Sequence, residues 1–287
     1  MFTAVIPVHN EEKSILAVLA TVLRLPLQYI IPVINGCTDR TMELVRSIPD
    51  PRLQIIYFQE PLGIDVPRAI GALYARHLNA RGVLFIDGDM SGDLFSNLNQ
   101  LIEAVESDVD IALTNCYPYI THRQKLASLV LKFRARLNRE LSLFTLLGLA
   151  TPTHGPHALS ETALYHLSPQ SMAIPPLTLV EAKKKGLTVR VATSIRHEAL
   201  HSPRKQRRHA RLIAETIIGD CLMGLAMAQD QPLVRTLGKH HLLGYHPERR
   251  FDLLREWEEA LNQGQDYREH LVLPYLNLSP TKALPPP

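Results

Sequence analysis

Along the first 115 residues, short apolar runs alternate with longer segments in which apolar positions recur every three to four residues. Five runs, Phe2–Val8, Tyr29–Ile34, Leu53–Phe58, Gly82–Ile86 and Asp110–Thr114, are nearly continuous in Ile, Val, Leu and Phe. Uninterrupted apolar runs of this length suit strands covered on both faces, so they read as a buried, mostly parallel sheet. Between them, Ile15, Leu16, Val18, Leu19, Val22 and Leu23 fall on one helical stripe. A second helix starts at Thr38 or Asp39, both good caps; a third runs from Pro67, harmless in a first turn, to Ala80; a fourth spans Leu94–Val105. Strand and helix alternate four times, which predicts a doubly wound α/β sheet with right-handed crossovers.

After residue 115 the rhythm stops. The pattern predicts a helix over Arg123–Arg139, a Pro/Gly/His loop over Thr151–His157, a helix over Thr178–Lys185 and a strand over Leu187–Ala192. Helices from Lys205 to Gln229 and from Pro247 to Asn262 follow, and the Leu-Pro-Pro-Pro tail is expected to fray. No internal repeat or low-complexity segment is present. Apolar stripes at Ile217, Ile218, Cys221, Leu222 and Leu225, and at Phe251, Leu254, Trp257 and Leu261, read as core or as the seam of a homodimer.

Composition agrees with a globular chain: 287 residues, 46% hydrophobic and 21% charged. Cys37, Cys116 and Cys221 stand too far apart to suggest a disulfide framework or a zinc site, which points to a reducing, cytoplasmic compartment. No signal peptide is expected, because Met1–His9 runs straight into the first strand. The longest uncharged run, Leu141–Ser160, is broken by Gly148, Pro152, Gly155 and Pro156 and is too short in its apolar part to span a bilayer. The net charge of +3 hides a split: residues 1–120 carry 8 basic and 14 acidic side chains, the rest 23 and 14. Such asymmetry suits a nucleic-acid or membrane surface, or an enzyme with a metal in its acidic half and an anion in its basic half.

Ligands of open α/β sheets bind at the carboxyl ends of the strands. The residues there are Pro7-Val8-His9-Asn10-Glu11-Glu12, Asn35-Gly36-Cys37-Thr38-Asp39, Gly63 to Arg68, and Asp87-Gly88-Asp89. All four loops are polar and converge on one edge. Asp87 and Asp89 flank Gly88, which lets the backbone turn and a ligand come close. Two carboxylates at the end of an apolar strand call for a cation, and hard oxygen donors favour Mg²⁺ or Mn²⁺ on a diphosphate. Taken alone, the triplet is also an ordinary turn, Asp39 an ordinary cap and Arg68 a solvated side chain.

Together, the four loops resemble the nucleotide-sugar-binding half of family 2 glycosyltransferases, which have the GT-A fold. The resemblance covers about the first 115 residues, with the motifs in order. It implies a nucleotide-sugar-binding part (1–115), an acceptor-binding part of the same domain (116–230) and a helical C-terminal extension (231–287). It places Pro7, Asn10 and Glu11 against the nucleoside and ribose, Asn35 and Asp39 at the base and helix start, and Arg68 near the diphosphate. Asp89 becomes the main ligand of Mg²⁺ or Mn²⁺, with Asp87 on the ribose or on the metal through water. Asn35 stands where many relatives carry Asp.

The second half departs further. Many inverting members carry a Glu-Asp pair, supplying the general base, before a helix that ends in glycine; here Pro175-Pro176 precedes Leu177–Lys185 and Gly186. Replacement bases are Glu161, His154 and His157, in or beside the proline-rich loop, each of which is equally a structural residue. Some members of the fold, including retaining glucosyl-phosphoglycerate synthases, add a histidine to the metal shell after the strand matching Leu187–Ala192. His197 occupies that place, with His201 in reserve, and a solvent-facing histidine is the alternative. Arg196, Arg204, Lys205, Arg207, Arg208 and Arg211, opposed by Glu198, suit a phosphorylated acceptor, the donor diphosphate or an anionic lipid surface at the inner membrane, or form a solvated face. Nucleic acid fits less well, because the cluster lacks interleaved aromatics. The expectation is a metal-dependent glycosyltransferase using a nucleoside-diphosphate sugar and an acceptor hydroxyl. The alternatives are a catalytically silent nucleotide-sugar or anionic-surface binding module, and a sugar nucleotidyltransferase, whose glycine-rich phosphate loop is missing after the first strand.

Overall fold

The computed structural model describes residues 1–118, 125–202 and 206–264. Its strands are β1 (Phe2–Val8), β2 (Leu27–Asn35), β3 (Ile56–Phe58), β4 (Gly82–Phe85), β5 (Ile111–Asn115), β6 (His157–Ser160) and β7 (Val189–Ser194). They form one sheet in the order β3-β2-β1-β4-β6-β5-β7, parallel throughout except for β6, which runs against both β4 and β5. Helices α1 (Ile15–Val22), α2 (Thr41–Arg46), α3 (Val66–His77) and α4 (Phe95–Glu106) alternate with the first five strands. The doubly wound, mostly parallel sheet predicted from the apolar rhythm is therefore the one that forms, and it is the GT-A sheet that the resemblance implied.

Residue parity in the strands sorts the core into two layers. Val5, Ile31, Val33, Val83, Ile111 and Leu159 face one side, and Ala4, Ile6, Ile30, Ile34, Leu84 and Ala112 face the other, where α1 and α4 pack. Helices α5 (Lys125–Glu140), α6 (Phe144–Leu147), α7 (Glu161–His166), α8 (Pro169–Met172), α9 (Pro175–Lys184), α10 (Arg207–Ala228) and α11 (Phe251–Asn262) complete the described chain, with a short hairpin of β8 (Thr236–Leu237) and β9 (His240–His241). Residues of α5, α9, α10 and α11 join the first core layer. Trp257 of α11 is fully buried against Phe58 and Tyr74, with ring centroids 5.9 and 6.2 Å away, and its indole N–H donates to the carbonyl of Ile70 at 3.2 Å. The C-terminal helix is thus built into the main core. The Leu-Pro-Pro-Pro tail lies outside the described residues.

Among the boundaries that differ from the sequence expectation are three in the second half. β6 begins inside the expected loop; four residues of mixed polarity carry no readable period. α9 starts at Pro175, because tandem prolines at its first two positions lack only N–H groups that a first turn leaves unpaired. β7 starts at Val189, since Thr188 is drawn into a turn-like tie with the Asp110 carboxylate (2.8 Å to its backbone N–H). Among the described residues, no helix is long and apolar enough to cross a membrane.

Candidate functional site

The carboxyl ends of β1, β2 and β4 meet on one edge and are bonded to each other. The Asn10 side-chain oxygen accepts from the Thr38 backbone N–H at 2.8 Å, and the Glu11 N–H donates to the Thr41 hydroxyl at 2.8 Å. Asn10 has φ 56°, a left-handed conformation that asparagine tolerates. The Asp39 carboxylate accepts from the N–H groups of Thr41 (3.0 Å) and Glu12 (3.1 Å). Burial raises its pKa, but those bonds outweigh it and hold the carboxyl below its ordinary value. The Gly88 N–H donates to Pro7 O at 3.0 Å, and a Cβ on Gly88 would stand 3.1 Å from that oxygen, so the closeness of the β1 and β4 loops favours glycine.

The Asn35 side chain is engaged within the loops themselves. Its side chain is buried, donates to Val8 O at 2.9 Å and accepts from the Leu62 N–H at 3.1 Å. Both ends of the amide are spent on tying the loops after β1, β2 and β3 together.

Asp87 is gripped by Arg68, whose Nη2 donates to both carboxylate oxygens at 2.6 and 2.7 Å. Arg68 also pairs with Asp65, which precedes α3 in a left-handed conformation (φ 65°). The chain of charges continues inward. Asp65 accepts from Arg249 at 2.9 Å, Arg249 clasps Asp220 at 2.8 and 2.7 Å, and Asp220 also pairs with Arg235. Three carboxylates and three guanidiniums thus alternate from the sheet edge into the interior, and except at Asp87 their side chains are almost wholly buried. Burial would lower the Arg68 pKa, but Asp87 and Asp65 prevail and raise it, so Arg68 stays charged. Sequence reasoning missed Asp220, Arg235 and Arg249; the one trace was an aspartate within the apolar stripe of α10.

The acceptor half is divided by the direction of β6. Phe85 pairs with His157 and Gly82 with Ser160, and the Glu161 N–H donates to Arg81 O at 3.1 Å. Glu161 therefore sits at the far edge, about a strand's length from Asp87, and the structure does not bring it to the site. His157 is at the correct edge, but it is buried, stacked on Phe85 at 4.8 Å, and pushed down to about 3 by burial and by Arg68. His154 and His197 come together, Nε2 to Nδ1 at 3.0 Å, and both rings stack with Tyr117 at 5.6 and 6.3 Å. His197 opens a short 3-10 turn, His197–Leu200, which docks on the segment just after Asp89: the Gly92 N–H donates to Leu200 O at 3.2 Å, and a Cβ on Gly92 would overlap Ala199 O. His201 ends that turn in a left-handed conformation. Among the described residues, no group of three or more His, Cys, Asp and Glu side chains is placed to hold a metal ion. Arg204 and Lys205 lie outside the described residues, and Arg207, Arg208 and Arg211 are exposed at the start of α10.

A doubly wound sheet with its polar loops and an Asp-Gly-Asp turn on one edge is the architecture of a nucleotide-sugar transferase. The model of the family described as Glycosyl transferase family 2 matches residues 3–166, and the chain belongs to that family; it is a glycosyltransferase. Crystal structures of glucosyl-3-phosphoglycerate synthase from Mycobacterium tuberculosis share the fold. The complex with Mn²⁺, UDP-glucose and phosphoglyceric acid has a TM-score of 0.59 at 17% identity, covering 81% of this chain and 80% of that one. The complex with Mn²⁺, UDP and glucosyl-3-phosphoglycerate gives 0.58 at 17% identity, covering 81% of each, and the Mg²⁺ and UDP complex 0.52 at 17%, covering 81% of this chain and 80% of that one. At these identities the likeness is one of fold. No curated protein matches the chain.

Proposed function

We propose that the chain is a metal-dependent transferase that moves a sugar from a uridine or guanosine diphosphate donor to the hydroxyl of an anionic acceptor. The observation that carries this reading is the Arg68–Asp87 pair beside Asp89, at the point where the β1 and β2 loops converge. Pro7, Asn10, Glu11 and Asp39 would line the nucleoside, and Gly88 would let the backbone approach the ligand. Arg68 is held charged and aimed by two carboxylates, so it offsets negative charge on a departing diphosphate without having to reorganise.

The donor set suits Mg²⁺ or Mn²⁺ held jointly with a ligand. A carboxylate at Asp89 and an imidazole at His197 are acceptable donors, and these cations take remaining oxygens from water and phosphate. The ion would stabilise charge on the leaving diphosphate. Of the three base candidates, His157 is buried with its pKa pushed down to about 3, too weak a base at working pH, and Glu161 is on the wrong edge, which leaves His154 as the candidate at the acceptor side. The acceptor of the M. tuberculosis enzyme complexes, phosphoglyceric acid, makes a small phosphorylated acid the first acceptor to try.

The test is nucleotide release from UDP-glucose and GDP-mannose by the purified chain with Mn²⁺, with and without a phosphorylated hydroxy acid. Asp89→Asn should cost roughly 10²-fold or more in kcat while leaving the melting temperature nearly unchanged. Turnover that survives both chelation and Asp89→Asn would remove the metal from the mechanism. A silent binding module would be stabilised by the nucleotide and release none.

A further inference from the structure

One buried cation in the second half has no counter-charge among the described residues. Arg134, in the middle of α5, is 2% exposed, its Nε has no hydrogen-bond partner, and no described carboxylate pairs with it. Instead its guanidinium carbon lies over the Tyr117 ring, 5.5 Å from the centroid. The Cys116 and Cys221 thiols feel its field, but burial pushes both up to about 12, so they stay neutral and supply no negative charge.

Two more orphaned donors lie on the segment that Asn138 ties to α5. The hydroxyls of Thr151 and Thr153 are buried without partners. Asn138, one turn after Arg134 on the same face of α5, donates to Gly148 O at 2.9 Å and Ala150 O at 3.0 Å. Four residues further on, His154 stacks on the Tyr117 ring that Arg134 covers. The chain from Ala150 to His154 therefore runs along α5 from Asn138 towards Arg134, carrying Thr151 and Thr153 with it. Tyr117 follows β5, on the same sheet edge as Asp87 and Asp89.

A buried charge without a partner is among the most expensive arrangements in a protein, and a cation over an aromatic ring recovers only part of the cost. The Arg134 Nε–H and two hydroxyls lack acceptors, and beside a guanidinium the ligand that answers both the charge and the donors is an oxyanion. We infer that Arg134, Thr151, Thr153 and Tyr117 form a receptor for the carboxylate or phosphate of the acceptor. That the anion belongs to the acceptor rests on the function proposed above; that the site takes an oxyanion does not. The donor diphosphate has its own cation in Arg68.

Thermal unfolding of the full chain, followed by Trp257 fluorescence, tests this with inorganic phosphate in one arm and acetate in another, against chloride at matched ionic strength. Phosphate or acetate should raise the wild-type midpoint by several degrees, and the arm that does so identifies the anion class. Arg134→Met should raise the midpoint of the anion-free protein, because an uncompensated charge has left the interior, and should abolish the anion response. Thr153→Val, a milder change, should lose part of the response with the fold kept. In the transfer assay, Arg134→Met should raise the acceptor KM at least tenfold with the donor KM unchanged. An equal anion response in wild type and Arg134→Met, no response in wild type, or a response that saturating UDP removes would each overturn the assignment. If wild type shows the anion response but no sugar transfer, the proposed function fails and the oxyanion site stands.

Discussion

Arg249 should be the side chain whose loss the fold tolerates least among the charged residues. It is fully buried and donates to Asp65 at 2.9 Å, to Asp220 at 2.8 and 2.7 Å, and through Nε to Ile64 O at 3.2 Å. Arg249→Met leaves Asp65 with only Arg68, which Asp87 also claims, and leaves Asp220 with only Arg235. Removing one member of a buried pair costs about 3–5 kcal/mol, because the desolvated charge left behind is no longer compensated. At about 2–4 °C per kcal/mol for a domain of this size, the midpoint should fall by roughly 6–20 °C. Trp257, the only tryptophan, lies on the helix that follows Arg249 and is fully buried, so its emission should shift to the red as that helix leaves the core. The neighbouring Arg250 supplies the control: its ion pairs with Glu60 and Asp252 are at the surface, and such pairs contribute about 0–1 kcal/mol. If Arg249→Met lowers the midpoint no more than Arg250→Met does, the buried network is not holding the C-terminal segment to the loop before α3.

Asn35→Asp replaces the donor of the Val8 O bond with a carboxylate facing that carbonyl, and should destabilise by about 2–4 kcal/mol in urea titration; a neutral substitution that tightens nucleotide binding would restore the base-contact reading. His157 titrates in the fold near 3, below the ordinary 6.5, so the native state refuses a proton that the unfolded chain accepts. Its share of stability is complete above pH 6.5 and drains as the pH falls towards 3, by about 1.4 kcal/mol per pH unit; His157→Phe should flatten that limb, measured by urea unfolding across the range. Gly63 has φ +79° and a Cβ there would overlap Glu248 O, whereas Gly186 has φ +71° in open space. Gly63→Ala should therefore lower the melting point well beyond the change from Gly186→Ala, which carries only a left-handed penalty of about 1–2 kcal/mol.

The parallel strands were readable because a sheet covered on both faces demands unbroken apolar runs, and a chain with five such runs separated by helical stripes has few other ways to bury them. The same reasoning located the edge where the polar loops converge, since the topology alone decides where the loops after β1, β2 and β4 must meet. It failed where one short strand went unread. β6 has only His157, Ala158, Leu159 and Ser160, too few to show a period, and because it runs antiparallel it carries the chain from the edge of the polar loops to the opposite one within four residues. That reversal is the whole reason Glu161 is remote from Asp87 while His157 is close to Arg68. Asn35 was misread for a different reason: its position was right, but nothing in a linear motif tells which backbone groups its amide will satisfy.

The charge asymmetry has a more specific meaning than a basic half meeting an anion. Part of it is internal complementarity: Asp65 and Asp87 of the acidic half are neutralised through Arg68 and through Arg249, which lies 184 residues after Asp65 and comes from the basic half. A pair so distant leaves no periodic trace, so its existence could not be read before the chain was folded. The basic residues then divide by burial. Arg235 and Arg249 are consumed by Asp220 and Asp65, Arg211 by Glu215 at the surface, and Arg134 alone among the buried arginines faces no described carboxylate. An excess of cations in the sequence is by itself ambiguous between solvated faces and binding sites. Burial without a partner is what separates the two, and by that criterion the anion sought by the second half belongs beside Arg134 rather than on the exposed start of α10.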